Sequence, residues 1–165
     1  MKIPGTDRFT KDTMEGQKHF AALSFCLPGM PLIYGGQETG LSHRLAFFEK
    51  DEIIWTDNHE MATFYKELIR LKKNIQAFWN GYYGGDIEWI NTSHDEHIFA
   101  FMRNSFSSKA FCLFNLSAHL QEFNIKGVDH AGSYVEYFYD FNMNFRGHDN
   151  LIFAPWEYRV YIANS

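Results

Sequence analysis

The sequence predicts an α+β chain in which a helix, a strand and a second helix precede an antiparallel all-β sandwich. Three observations predict it. An apolar run over residues 14–27 stops at Pro28-Gly29, and a short apolar stretch over 31–34 then ends in Gly35-Gly36, which is the order of helix, tight turn, strand and glycine exit in a (β/α) repeat. Met61, Phe64, Tyr65, Leu68 and Leu71 recur at helical spacing. After residue 85 the texture changes to short alternating apolar segments separated by turn residues, the pattern of a small sandwich with Greek-key connections.

Residues 1–12 mix Pro4, Gly5, charges and threonines and read as a loop; Asp7 in it is read as a solvated charge. The first helix follows over 14–27, with Asp12 or Thr13 as its cap. Phe20, Ala21, Leu23, Phe25, Cys26 and Leu27 make it apolar on several sides, so more than one neighbour must cover it. Leu32-Ile33-Tyr34 is apolar on both faces, as a buried parallel strand is. Gly35 and Gly36 let the backbone leave the strand. Gln37 and Glu38 then emerge at the strand end where (β/α) enzymes keep working residues. Gly35, Gly36, Gln37 and Glu38 are therefore the candidate substrate-cleft residues. Glu38 has a structural alternative, in which its carboxylate accepts loop amides or pairs with an arginine.

Residues 39–56 read as a loop with a short helical piece around 43–47, and Glu49, Asp51 and Glu52 as a solvated run. Asp57 or Asn58 is the cap of the second helix, with Glu60 as a capping-box partner and Lys72 and Lys73 complementing the dipole at its end. Residues 75–79 add a half turn, and Gly81-Tyr82-Tyr83-Gly84-Gly85 separates two units, 1–81 and 82–165. Trp79, Tyr82 and Tyr83 near this boundary are either sugar-stacking rings or a packed hinge. Strands are expected at 87–90, 97–103, 109–116, 120–125, 134–139, 150–153 and 156–162.

Composition narrows the function. A net charge of -5 across 165 residues gives no basic field for nucleic acid or an anionic membrane. No apolar stretch reaches the roughly 18 residues of a membrane span, and residues 1–7 lack the apolar core of a signal peptide. An aromatic fraction of 18% suits a sandwich core or stacking on sugar rings. Cys26 and Cys112 read as buried, unpaired thiols with no zinc spacing. His94-Asp95-Glu96-His97 sits at a turn and lacks a third ligand, so no metal site is expected.

Leu27-Pro28-Gly29-Met30-Pro31-Leu32-Ile33-Tyr34-Gly35-Gly36-Gln37-Glu38 resembles the eighth barrel strand of the alpha-amylase family of glycoside hydrolases. The similarity runs on through Phe47-Phe48-Glu49-Lys50-Asp51, Ile54-Trp55, the segment from Phe64 to Lys73, and Pro155-Trp156-Glu157-Tyr158-Arg159-Val160. The resemblance implies the last helix, strand and helix of a (β/α)8 barrel followed by the family's C-terminal sandwich, in a parent that cleaves alpha-linked glucans such as starch and maltooligosaccharides. A whole barrel needs roughly 250 residues, more than this chain has. The family's nucleophile, acid/base and third acid stand on the fourth, fifth and seventh strands, so the resemblance carries no catalytic residue onto this chain. It implies calcium in the parent, with ligands mainly in regions outside this sequence, and no cofactor here. It also implies that missing barrel segments are the partner of residues 1–81, and a strand at 31–34 without neighbours would expose edges that favour self-association. The competing reading is a non-enzymatic module whose sandwich binds glucan or serves only as structure.

Overall fold

The computed structural model describes residues 6–41, 45, 46, 48–55 and 60–164, with side chains from residue 14 onward. Helix α1 spans Thr6–Cys26. It therefore begins well before residue 14: residues 6–12 are helical rather than loop, and Asp12 and Thr13 lie inside the helix rather than capping it. No proline or glycine interrupts 6–13, so a helix anchored by its apolar C-terminal half propagates back through polar residues. The side chain of Asp7 lies outside the described residues.

The strand expected at 31–34 is not formed. Leu32 is 85% exposed and Tyr34 63% exposed, where a buried parallel strand would hide both. A strand exists through its hydrogen-bonded neighbours, and among the described residues none lies alongside this segment. The chain continues through a 3₁₀ turn at Gln37–Thr39. Helix α2 spans Glu60–Asn74 and buries Met61, Tyr65, Leu68 and Leu71, with Lys72 and Lys73 in its last turn. The expected caps Asp57 and Asn58 and most of the 43–47 piece lie outside the described residues. Two 3₁₀ turns, Gln76–Phe78 and Gly81–Tyr83, lead into the sheets.

Eight strands follow: β1 Asp86–Trp89, β2 Ile98–Asn104, β3 Lys109–Asn115, β4 Gln121–Asn124, β5 Gly132–Glu136, β6 Asn142–Phe145, β7 Asn150–Phe153 and β8 Tyr158–Ala163. All seven expected strands are present, the one at 150–153 with the same bounds and the other six with shifted ends, and β6 is additional. Its Asn142 and Asn144 are residue types depleted in strands. The strand expected to reach 139 stops at Glu136, because that carboxylate accepts the backbone N–H groups of Phe138 and Tyr139 and turns the chain.

Six strands form one sheet in the order β1-β2-β3-β8-β5-β6, and β4 and β7 pair in a small second sheet. The large sheet is a middle layer, and the period-2 alternation of its strands serves two cores. Phe101, Ala110, Cys112, Phe114 and Val160 join Ala22, Phe25, Leu68, Leu71 and Phe78 of the helical layer. Ala100, Met102, Phe111, Leu113 and Tyr161 face the other way, onto Phe123 and Phe153 of the small sheet. The helices thus dock on the back of the sandwich. Among the described residues no helix is long and apolar enough to cross a membrane.

Candidate functional site

The joint between helices and sheet is built on a buried cation. Arg103, on the helix-facing side of β2, is 1% exposed. Its Nε donates to the Gly85 carbonyl at 2.8 Å, Nη1 to the Cys26 carbonyl at 2.7 Å and Nη2 to the Trp79 carbonyl at 3.3 Å. Lys72 Nζ donates to the Phe78 carbonyl at 2.9 Å and reaches the Phe25 carbonyl at 3.5 Å. Carbonyls at the end of α1 would otherwise lack partners, so two cations from elsewhere complete the helix and tie it to residues 78–85. Burial lowers the pKa of both groups, and for Lys72 the Arg103 charge adds to the shift. Cys26 and Cys112 are free and buried in this joint. Burial, followed by a hydrogen bond with Cys26, pushes the Cys112 thiol well up.

Gln37 and Glu38 sit where the chain leaves the 31–34 segment, with both side chains folded back onto their own loop. Gln37 Oε1 accepts the Tyr34 N–H at 2.7 Å, and Glu38 Oε2 accepts the Gly36 N–H at 3.1 Å. Gly36 has φ 98°, and a Cβ there would come within 2.9 Å of Leu41 Cδ2, so this position requires glycine. Gly35 has no such demand, since a Cβ would meet only Ile53 at 3.7 Å. Gln37 borders a recess of about 540 Å³ between α1 and α2, lined also by Phe20, Ser24, Met61 and Tyr65. Burial, and then the Glu38 charge, raises the Tyr65 hydroxyl's pKa.

The three candidate stacking rings do not share one platform. Trp79 borders a largely apolar recess of about 490 Å³ with Phe25, Ile33 and Ile69. Its indole N–H donates to the Lys73 carbonyl at 3.0 Å. Tyr82 borders a separate recess of about 430 Å³ and meets Tyr83 edge to face at 5.6 Å. Sequence reasoning passed over three residues of that second recess: Asp86, Asn104 and Phe106. A phenylalanine in the β2–β3 turn, between Ser105 and Ser107, was the available signal, because such turns favour small polar residues.

Among the described residues no three His, Cys, Asp or Glu side chains converge as metal ligands. The donor set for the calcium implied in the parent is thus not found among them. In the 94–97 turn, Asp95 Oδ1 accepts the Thr92 N–H and hydroxyl instead.

Comparison with known proteins places this geometry. A family model described as "Alpha amylase, C-terminal all-beta domain" matches residues 89–156. Residues 89–156 are thus similar to the C-terminal all-beta domain of alpha-amylases. That C-terminal domain accounts for most of the two sheets. An oligo-1,6-glucosidase of Saccharomyces cerevisiae is 26% identical over 106 residues, covering 64% of this chain and 17% of the yeast protein. A noncanonic maltogenic alpha-amylase from Thermotoga neapolitana superposes with a TM-score of 0.75 at 17% identity, over 90% of this chain and 36% of that enzyme. An alpha-amylase from Geobacillus thermoleovorans, solved with acarbose, gives a TM-score of 0.68 at 17% identity over 96% and 36%. The superpositions extend beyond the sheets to the helices and show the shared fold. The chain spans about a third of these structures and a sixth of the yeast relative.

Proposed function

We propose that this chain is the C-terminal part of a glycoside hydrolase acting on alpha-linked glucans, and that it supplies no catalytic carboxylate pair of its own. One observation carries the second half. Glu136 is the only buried acid among the described residues, and its oxygens accept three backbone N–H groups, from Phe138, Tyr139 and Val160. Burial raises its pKa while those three bonds hold it down. A retaining glycosidase needs two carboxyl groups about 5 Å apart, one as nucleophile and one as acid/base; an acid committed to three amides serves neither role. Glu38 is likewise turned onto its own loop. The substrate class rests on the relatives, whose names speak of oligo-1,6-glucoside and maltogenic activity.

In this reading residues 1–81 are the last segment of a catalytic barrel and 82–165 the sandwich that braces it. Gly35, Gly36, Gln37 and Glu38 lie on the rim of the substrate cleft, and the recess between α1 and α2 faces the remaining barrel. The test is to recover the native protein from its cells with an antibody against the sandwich, then measure its mass and its release of reducing sugar from maltooligosaccharides. A species heavier than 19.4 kDa that hydrolyses them is expected. A 19.4 kDa species alone, or a heavier one inert on every alpha-glucan, would overturn the reading.

A further inference from the structure

The chain's two cysteines, far apart in sequence, meet inside the joint, and nothing in the hydrolase reading uses them. Cys26 closes α1. Cys112 sits in the middle of β3, paired with Phe101 of β2 and Val160 of β8. Helix α1 comes within 8 Å of β3 between Cα atoms, and both cysteines are 0% exposed in one core cluster. The Cys112 thiol is hydrogen-bonded to Cys26. Hydrogen-bonded thiols hold their sulfurs side by side, and a disulfide requires that they close to about 2 Å. The Arg103 guanidinium lies beside them, with Nη1 on the Cys26 carbonyl and its charge acting on both sulfurs. A buried cysteine packs as a small hydrophobe, but packing alone does not require the chain's two cysteines to share one contact.

We infer that Cys26 and Cys112 are a redox-active pair, which a small-molecule disulfide such as oxidised glutathione converts into a covalent staple between α1 and β3. Cys26 attacks first, because it ends a helix and is followed by the 27–29 turn, whereas Cys112 has a strand on either side. When the end of α1 opens, the Cys26 thiol gives up its proton and its sulfur attacks the small disulfide. That S–S bond breaks, one small thiol leaves, and Cys26 carries a mixed disulfide. As α1 closes, Cys112 loses its proton, bonds to the Cys26 sulfur and expels the second small thiol. The protein has then given two electrons to the small disulfide, and its two protons have passed to the released thiols. Burial works against the Cys112 thiolate, and the Arg103 charge favours it. The link closes a loop that runs through α2, β1 and β2, and a disulfide restricts the unfolded chain more the longer the loop it closes. A joint held by two cations becomes one held by a bond. The pair stands independently of the hydrolase reading.

The test holds the 165-residue protein at equilibrium with a fixed mixture of reduced and oxidised glutathione, once in buffer and once in concentrated urea. After quenching and alkylation, peptide mass mapping counts disulfide against dithiol. The ratio should be roughly a hundredfold higher in the folded chain than in urea, and the oxidised form should unfold at a urea midpoint higher by roughly 1 M. Cys112→Ala should trap glutathione on Cys26, and Cys26→Ala should leave Cys112 unmodified in the folded chain. A ratio no higher in buffer than in urea overturns the pair, as does glutathione retained on either cysteine of the unmodified chain, or a link between two chains. These outcomes are read on the unmodified protein and need neither variant to fold. Faster capture at Cys112 than at Cys26 overturns the order of attack.

Discussion

The sandwich and the 27–55 segment are both rich in large apolar residues, yet they behave as opposites. In β2 and β3 nearly every residue is buried, because one alternate set faces the helices and the other faces the small sheet. In the 27–55 segment Met30, Leu32, Tyr34, Phe48, Ile54 and Trp55 are exposed. Hydrophobic content is therefore not the difference. The sandwich brings its own neighbours on both faces, whereas the 31–34 stretch has no strand neighbours among the described residues, although Ile33 packs against the helical core. On the hydrolase reading, those neighbours are the rest of a catalytic barrel.

The contrast is tested first at the middle layer. Phe111 and Phe114 are near neighbours on β3 and point to opposite cores. Truncating either to alanine should cost about 3–5 kcal/mol, read by urea unfolding. Hydrogen exchange should then separate them: Phe114→Ala is expected to release α1 and α2, and Phe111→Ala to release β4 and β7. Identical exchange patterns would mean that the two faces are one cooperative unit.

Arg103→Met probes the joint. Losing charge-assisted bonds to three carbonyls should cost roughly 3 kcal/mol and split urea unfolding into two steps, the helices leaving first. A single step at unchanged midpoint would show that the apolar contacts alone hold the layers together.

Acid acts on the same layers through two buried histidines. His19 of α1 is lowered from its ordinary 6.5 by burial, against the bond to the Trp156 carbonyl. His130 is lowered by burial too, with Asp149 and Asp129 pulling upward and Lys109 adding to the fall. The unfolded chain takes up these protons near pH 6.5 while the folded chain resists, so the unfolded state binds more protons below that pH. Their contribution to stability is thus full above about 6.5 and falls as the pH drops below it. Melting temperature followed across this window is the measurement, and His130→Phe should flatten part of the slope. Glu136 acts in the opposite sense at lower pH, because its raised pKa lets the folded chain hold its proton.

The fold was legible where local pattern decides it. Ile98, Ala100 and Met102 alternating with Phe99, Phe101 and Arg103 gave β2 and its two faces. Helix α2 was equally plain from Met61, Tyr65, Leu68 and Leu71. Strand β6 was missed because its asparagines mask an edge strand held by β5. The role of Arg103 left no local mark, since its carbonyl partners come from Cys26, Trp79 and Gly85. The recess was half legible: Tyr82 was singled out, but Phe106 needed the hairpin that sets it beside Asp86 and Asn104. The 31–34 strand was overcalled because composition reports that a segment can be buried, while pairing decides whether it is.

The smallest expected effect lies at that segment. Leu32→Gln should change the unfolding free energy of this chain by less than about 0.5 kcal/mol, measured in urea. A larger loss would mean that 31–34 is packed after all.

The decisive measurement is release of reducing sugar from maltoheptaose by the purified 165-residue protein. None above the blank is expected, because no described carboxylate pair is placed to act as nucleophile and acid/base. Sustained turnover that disappears on Glu38→Gln would contradict this and put the catalytic acid in this chain.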